Sequence, residues 1–124
     1  MLSKFADRSL IVEVIWTPIL PSDRGITVDA RSRVLDPRAR HWWDGERWAQ
    51  TAFRTPLQLP AGTPAWDVYL LYGPGVRWSG DSPPAPTFWM HQLTKLGRKG
   101  QLHGPTLREA VRSAAGEVTK RARE

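Results

Sequence analysis

The first clear pattern is the run Leu10-Ile11-Val12-Glu13-Val14-Ile15-Trp16, apolar at six of seven positions and rich in β-branched side chains. It predicts a strand over residues 9–16, and its near-continuous apolar character predicts cover on both faces. Residues 2–8 read as the last turns of a helix before it, and Pro18, Pro21, Ser22, Asp23 and Gly25 break the chain after it. Asp36-Pro37 fits a helix cap followed by proline at the first helical position, which predicts a short helix to Trp43 ended by the Asp44-Gly45 turn. Beyond Glu46, the i, i+4 pairs Trp48/Ala52 and Ala49/Phe53 predict a second helical piece with one apolar stripe.

Pro56, Pro60, Gly62 and Pro64 mark a stiff loop leading to the segment PAWDVYLLYGPGVRW, residues 64–78. Alternation puts Val68, Leu70 and Tyr72 on one face of a strand and Tyr69 and Leu71 on the other, with neither face polar. Gly73-Pro74-Gly75 predicts a turn into an antiparallel return at residues 76–78. The proline-rich SGDSPPAPTFWMHQL, residues 79–93, reads as a surface loop followed by a short element of open type. Pro105 opens the last helix, residues 105–123, where Leu107, Val111, Ala114 and Val118 form a stripe and Glu117/Arg121 can pair outside.

Length and composition fit one folded domain spanning residues 1–124: a chain of 124 residues with seven tryptophans has enough apolar surface for a single core. The absence of cysteine removes disulfides, thiolate nucleophiles, iron–sulfur ligation and cysteine zinc sites within these residues. No stretch reaches the length of a membrane span, and the N-terminal run, interrupted by Glu13, does not fit a signal peptide. If Met1 is the natural start, the expected location is the cytoplasm.

The net charge of +6 is unevenly spread: from Lys95 onward eight basic residues face three acidic ones. A solvated basic helix face explains this, and so does a site for an anionic partner at Arg108, Arg112, Lys120 and Arg121.

The phrases VIWTPILPSD, DPRARHWWD, PAWDVYLLYGPGVRW, PPAPTFWMHQL and HGPTLREAV together resemble a group of bacterial thioredoxin-like proteins of poorly defined function, over residues 10–118. The resemblance implies an α/β, thioredoxin-like fold that is N-terminally shortened. Its small mixed sheet, built from residues 11–16, 67–72 and 76–78, would be covered by the tryptophan-rich and C-terminal helices. Thioredoxin-like proteins carry their chemistry on a Cys-X-X-Cys after the first core strand. Both are missing here, so no residue inherits the nucleophile's role and no cofactor or metal is implied. The family's proline before the hairpin strand is also displaced: Asp67 stands at that position, with Pro64 three residues earlier. Without the first strand, three arrangements remain open: direct parallel pairing of the strands at 11–16 and 67–72, pairing with another chain, or a longer natural protein.

His41, Asp44, Asp67 and His91 form a candidate polar cluster, since acids beside histidines serve acid–base catalysis or metal binding. Each also has a structural explanation, as turn former, cap or packed ring. Trp42, Trp43 and Trp48 suggest either core packing or a stacking platform. The expectation for function is a non-catalytic interaction module or a truncated redox-like protein, with a protein partner or self-association through the unpaired strand edge. One alternative is the C-terminal part of a thiol-disulfide oxidoreductase whose cysteines lie upstream. Another is a basic binder of nucleic acid or anionic surfaces.

Overall fold

In a computed structural model of the chain, residues 10–18, 36–80 and 82–123 are described, with side chains through Gly116. Among them the architecture is mixed α/β, with two small sheets and two helices. The expected helix at 2–8 lies outside these residues, as do the side chains of Val118, Glu117, Lys120 and Arg121.

Strand β1, Val12–Trp16, pairs in parallel with β2, Ala39–Trp43, with Val12 opposite Ala39 and Trp16 opposite Trp43. The segment expected to be helical, residues 36–43, is therefore a turn and a strand. Asp36 decides the local geometry: its carboxylate accepts the Arg38 backbone N–H at 2.9 Å and the Arg38 guanidinium at 2.6 Å, while its carbonyl accepts the Ala39 N–H at 3.0 Å. Proline's fixed φ suits the second position of such a turn as well as the first turn of a helix. Pairing with β1 then makes the extended form the better one. The strand at 11–16 does pair in parallel, but with β2 rather than with residues 67–72.

This sheet is also less covered than its apolar run suggests. Val12, Val14, Trp16, Ala39, His41 and Trp43 are half-buried, whereas Glu13, Ile15, Arg40 and Trp42 point to solvent.

After β2, Asp44 closes the turn. Its backbone N–H donates to the Trp16 carbonyl at 2.8 Å, and its carboxylate accepts the N–H groups of Trp48 and Ala49 at 3.0 and 2.7 Å. Helix α1, Trp48–Ala52, is only five residues long and is entered through Arg47 in the left-handed conformation. Ala49 and Phe53 of the expected stripe are buried with Leu57 and Ala65, and Leu59, Val68, Leu70 and Trp89 pack against them. Trp48, assigned to the same stripe, lies outside this core.

Strand β3, Val68–Leu71, pairs antiparallel with β4, Phe88–His91, through Val68↔His91 and Leu71↔Phe88. The Gly73-Pro74-Gly75 turn forms, with Val76 N–H donating to the Gly73 carbonyl at 3.4 Å, but residues 76–78 do not return as a strand. They continue as an exposed loop, and the second strand comes from PTFWMHQL. Two contacts tie the loop down: Tyr72 donates its hydroxyl to the Pro84 carbonyl at 2.8 Å, and Gly73 N–H donates to the Thr87 hydroxyl at 2.8 Å. The expected single sheet of 11–16, 67–72 and 76–78 is thus replaced by two separate two-stranded sheets.

A short 3-10 turn, Thr94–Leu96, leads to helix α2, Gly104–Arg123, which packs on β4. Pro105 sits in its first turn, and Leu107 and Val111 are buried as their spacing predicts. Among the described residues, one tie between the segment after β1 and α1 is polar. Buried Gln50 of α1 donates from Nε2 to the Thr17 hydroxyl at 2.8 Å and to the Pro18 carbonyl at 3.0 Å.

Candidate binding surfaces

The four residues of the candidate polar cluster each meet a nearby structural partner. His41, on the half-buried face of β2, accepts the Trp16 indole N–H on Nδ1 at 3.0 Å. Asp44 caps the entry to α1. Asp67 has a left-handed backbone, and its carbonyl accepts the Gln92 N–H at 2.9 Å. His91 is 2% exposed; Nδ1 accepts the Leu93 N–H at 3.1 Å, which leaves Nε2 to donate to the Lys99 carbonyl at 2.7 Å. Asp67 and His91 lie at paired ends of β3 and β4, while His41 and Asp44 lie at the end of β2. Among the described residues, no three His, Asp or Glu side chains are placed to hold a metal ion.

Among the described residues, one carboxyl and two phenol groups have shifted titration. The Arg38 guanidinium, followed by the Arg38 backbone N–H, holds the Asp36 carboxyl at about 2. Burial pushes the Tyr69 hydroxyl up, with a smaller push from the Asp67 charge, and burial alone pushes up Tyr72. Tyr69 donates to the Gln92 side-chain oxygen at 3.0 Å.

The basic surface proposed for α2 is described in part. Arg112 is exposed and pairs with Glu109 at 3.4 Å, whereas Arg108 is half-buried and its Nε is enclosed. Among the described residues no helix is long and apolar enough to cross a membrane.

Among the described residues, apart from Tyr69 and Val76, the exposed large apolar side chains fall in two groups. One is the outward face of β1–β2, where Ile11, Ile15 and Trp42 are exposed, Ile11 at 67%. Between them Glu13 accepts from the Arg40 guanidinium and, at 2.7 Å, from the Trp42 indole N–H.

The other lies beside α1. Trp48 and Trp78 stack with centroids 6.3 Å apart and planes 17° from parallel, and they remain 54% and 48% exposed. Phe53 meets Trp78 edge-on at 5.7 Å and anchors the pair to the core. Of the two readings for Trp42, Trp43 and Trp48, core packing fails for Trp42 and Trp48, each 54% exposed, and Trp42 and Trp43 share no platform because adjacent strand residues point to opposite faces. Trp78 is the partner that the sequence reading missed. Its signal is the dipeptide Arg-Trp, which occurs at 47–48 and again at 77–78.

In comparisons with known proteins, no family model, curated protein or solved structure matches this chain.

Proposed function

We propose that the chain is a non-catalytic interaction module that associates with a second copy of itself through the β1–β2 sheet. The observation that carries this reading is a parallel strand pair with an open apolar face. Parallel sheets are found almost entirely with both faces covered, and an isolated two-stranded sheet is marginal in water. Here Ile11, Ile15 and Trp42 face solvent on such a pair. A partner that covers them completes the sheet's apolar environment.

A second copy suits this face because its charges are self-complementary. Glu13 and Arg40 sit side by side between the apolar residues. Across a two-fold axis, each would meet the opposite charge of the other copy, as an isologous interface requires. The thioredoxin-like resemblance belongs to the same proposal. Its structural support is the antiparallel β3–β4 pair leading directly into the long α2, the order of elements in the C-terminal half of that fold. The separate β1–β2 pair departs from that fold's single sheet. A cytoplasmic setting goes with this reading.

Light scattering coupled to gel filtration tests it. The wild-type chain is expected to elute as a dimer and the Ile15→Lys variant as a folded monomer. A wild-type monomer at all accessible concentrations, or a dimer indifferent to Ile15→Lys, overturns the proposal.

A further inference from the structure

We infer that the Trp48–Trp78 pair, with Arg47 and Arg77, is a binding platform for single-stranded nucleic acid. This site is separate from the β1–β2 face and does not depend on the self-association proposed above.

The first part of the argument is the state of the two rings. They come from segments thirty positions apart and are held nearly parallel, yet about half of each stays in water. Pairing has therefore not hidden them. Phe53, almost fully buried, contacts Trp78 at 87° and ties it to the core. The Asp44 carboxylate fixes the backbone of Trp48 by accepting its N–H at 3.0 Å. The indole N–H of Trp78 is already donated to the Gly80 carbonyl at 3.1 Å. What Trp78 offers a ligand is its π surface rather than a hydrogen-bond donor.

The second part is charge. Each tryptophan is preceded by an exposed arginine, and neither the Arg47 nor the Arg77 guanidinium belongs to an ion pair among the described residues. Arg47 holds φ at 61°, in the left-handed region, where a side chain is strained. The chain thus keeps an arginine at a position that glycine would fill more easily. Glu46 is the one exposed acid beside Arg47 in the sequence.

Flat aromatic faces, each preceded in the sequence by an exposed arginine, match one ligand chemistry well, planar bases joined by phosphates. Bases stack on tryptophan with little regard to sequence, and arginines neutralise the backbone. An acidic peptide would use the arginines without the rings. A neutral glycan would use the rings without the arginines. A duplex hides its base faces and would present only phosphate.

The test is fluorescence anisotropy of a labelled oligothymidylate titrated with the full chain at low and high salt. Binding that weakens as salt rises is expected. Trp78→Ala should lose about tenfold or more, in keeping with the loss of one base-stacking ring. Trp78→Phe, which keeps a ring, should retain most of the affinity. Arg47→Gln with Arg77→Gln should weaken binding and flatten its salt dependence. Circular dichroism on each variant, together with the Phe variant, separates loss of the site from loss of the fold. No binding to the oligonucleotide overturns the inference. So does binding that Trp78→Ala leaves unchanged, equal binding to duplex, or binding lost only when Arg108 and Arg112 on α2 are neutralised. Capture of a neutral glycan in place of the oligonucleotide would also overturn it.

Discussion

The Trp16 indole N–H donates to Nδ1 of His41 at 3.0 Å, and the two rings lie 5° from parallel. The pair is diagonal across the parallel strands, since Val14 is the residue opposite His41. It fixes register: a slip of one residue would send the two rings to opposite faces. With Nδ1 accepting, the neutral ring carries its proton on Nε2. Nitrogen chemical shifts should report that tautomer, and the opposite one would contradict the bond. Trp16→Phe keeps a ring and removes the donor, so it should cost about 0.5–1.5 kcal/mol in denaturant unfolding.

Gln50 is the main polar tie between the β1–β2 pair and the core. Gln50→Leu conserves approximate volume and abolishes the bonds to Thr17 and Pro18. The expected loss is about 1–3 kcal/mol. Hydrogen exchange should rise more at the amides of β1 and β2 than at those of β3 and β4. Uniform acceleration across both sheets would refute Gln50 as a local tie.

Asp36 makes stability fall in acid. Its folded pKa of about 2 lies below the ordinary 3.8, so the charged form is favoured by folding. The stabilisation is complete above the unfolded value and is lost as pH falls through the folded one. Unfolding midpoints measured from about pH 5 to pH 2 should therefore drop less in Asp36→Asn than in the wild type. Parallel curves would mean that the Arg38 contacts do not persist in solution.

His91 should be the costliest polar residue to replace. Both ring nitrogens are engaged, and Leu93 N–H has the ring as its partner in the buried interior. His91→Ala should destabilise by about 2–4 kcal/mol, from an orphaned donor and a cavity together. Gly100 lies against the same ring: a Cβ there would meet His91 Cδ2 at 3.4 Å, and φ is +72°. Gly100→Ala should cost about 1–2 kcal/mol through the left-handed backbone alone. Thermal unfolding of the two variants checks both values.

Which parts were legible in the sequence follows from how local their causes are. Helix α2 was readable because Pro105 and the Leu107/Val111 spacing act within a few residues. The strand at 12–16 was readable from its β-branched run. Residues 36–43 were misread because Asp-Pro opens a helix and a turn equally well, and the deciding partners lie twenty-seven residues away in β1. The partner of β3 was misassigned because Gly73-Pro74-Gly75 does form a turn, while Val76, Arg77 and Trp78 lack cover and Phe88–His91 supplies the pairing. Polar residues were harder still. His41 and His91 are held by an indole N–H and by backbone groups, which leave no trace in residue spacing. The Trp48–Trp78 contact joins helix α1 to a loop through Phe53, and only the repeated Arg-Trp hinted at it.

The long separation between Gln50 and its partners just after β1, thirty-three positions to Thr17, has a consequence during synthesis. At roughly 5–20 residues per second, β1 emerges from the ribosome about two to seven seconds before Gln50 emerges. Until β2 follows, with Ala39 twenty-seven positions after Val12, the side chains of Ile11, Val12, Val14, Ile15 and Trp16 have neither β2 nor α1 to receive them. Glu13 stands in the middle of that run as its only charge. A single charge inside an apolar strand is the kind of residue that disfavours pairing between such strands on neighbouring chains. Only later does Glu13 become the acceptor for Arg40 and Trp42.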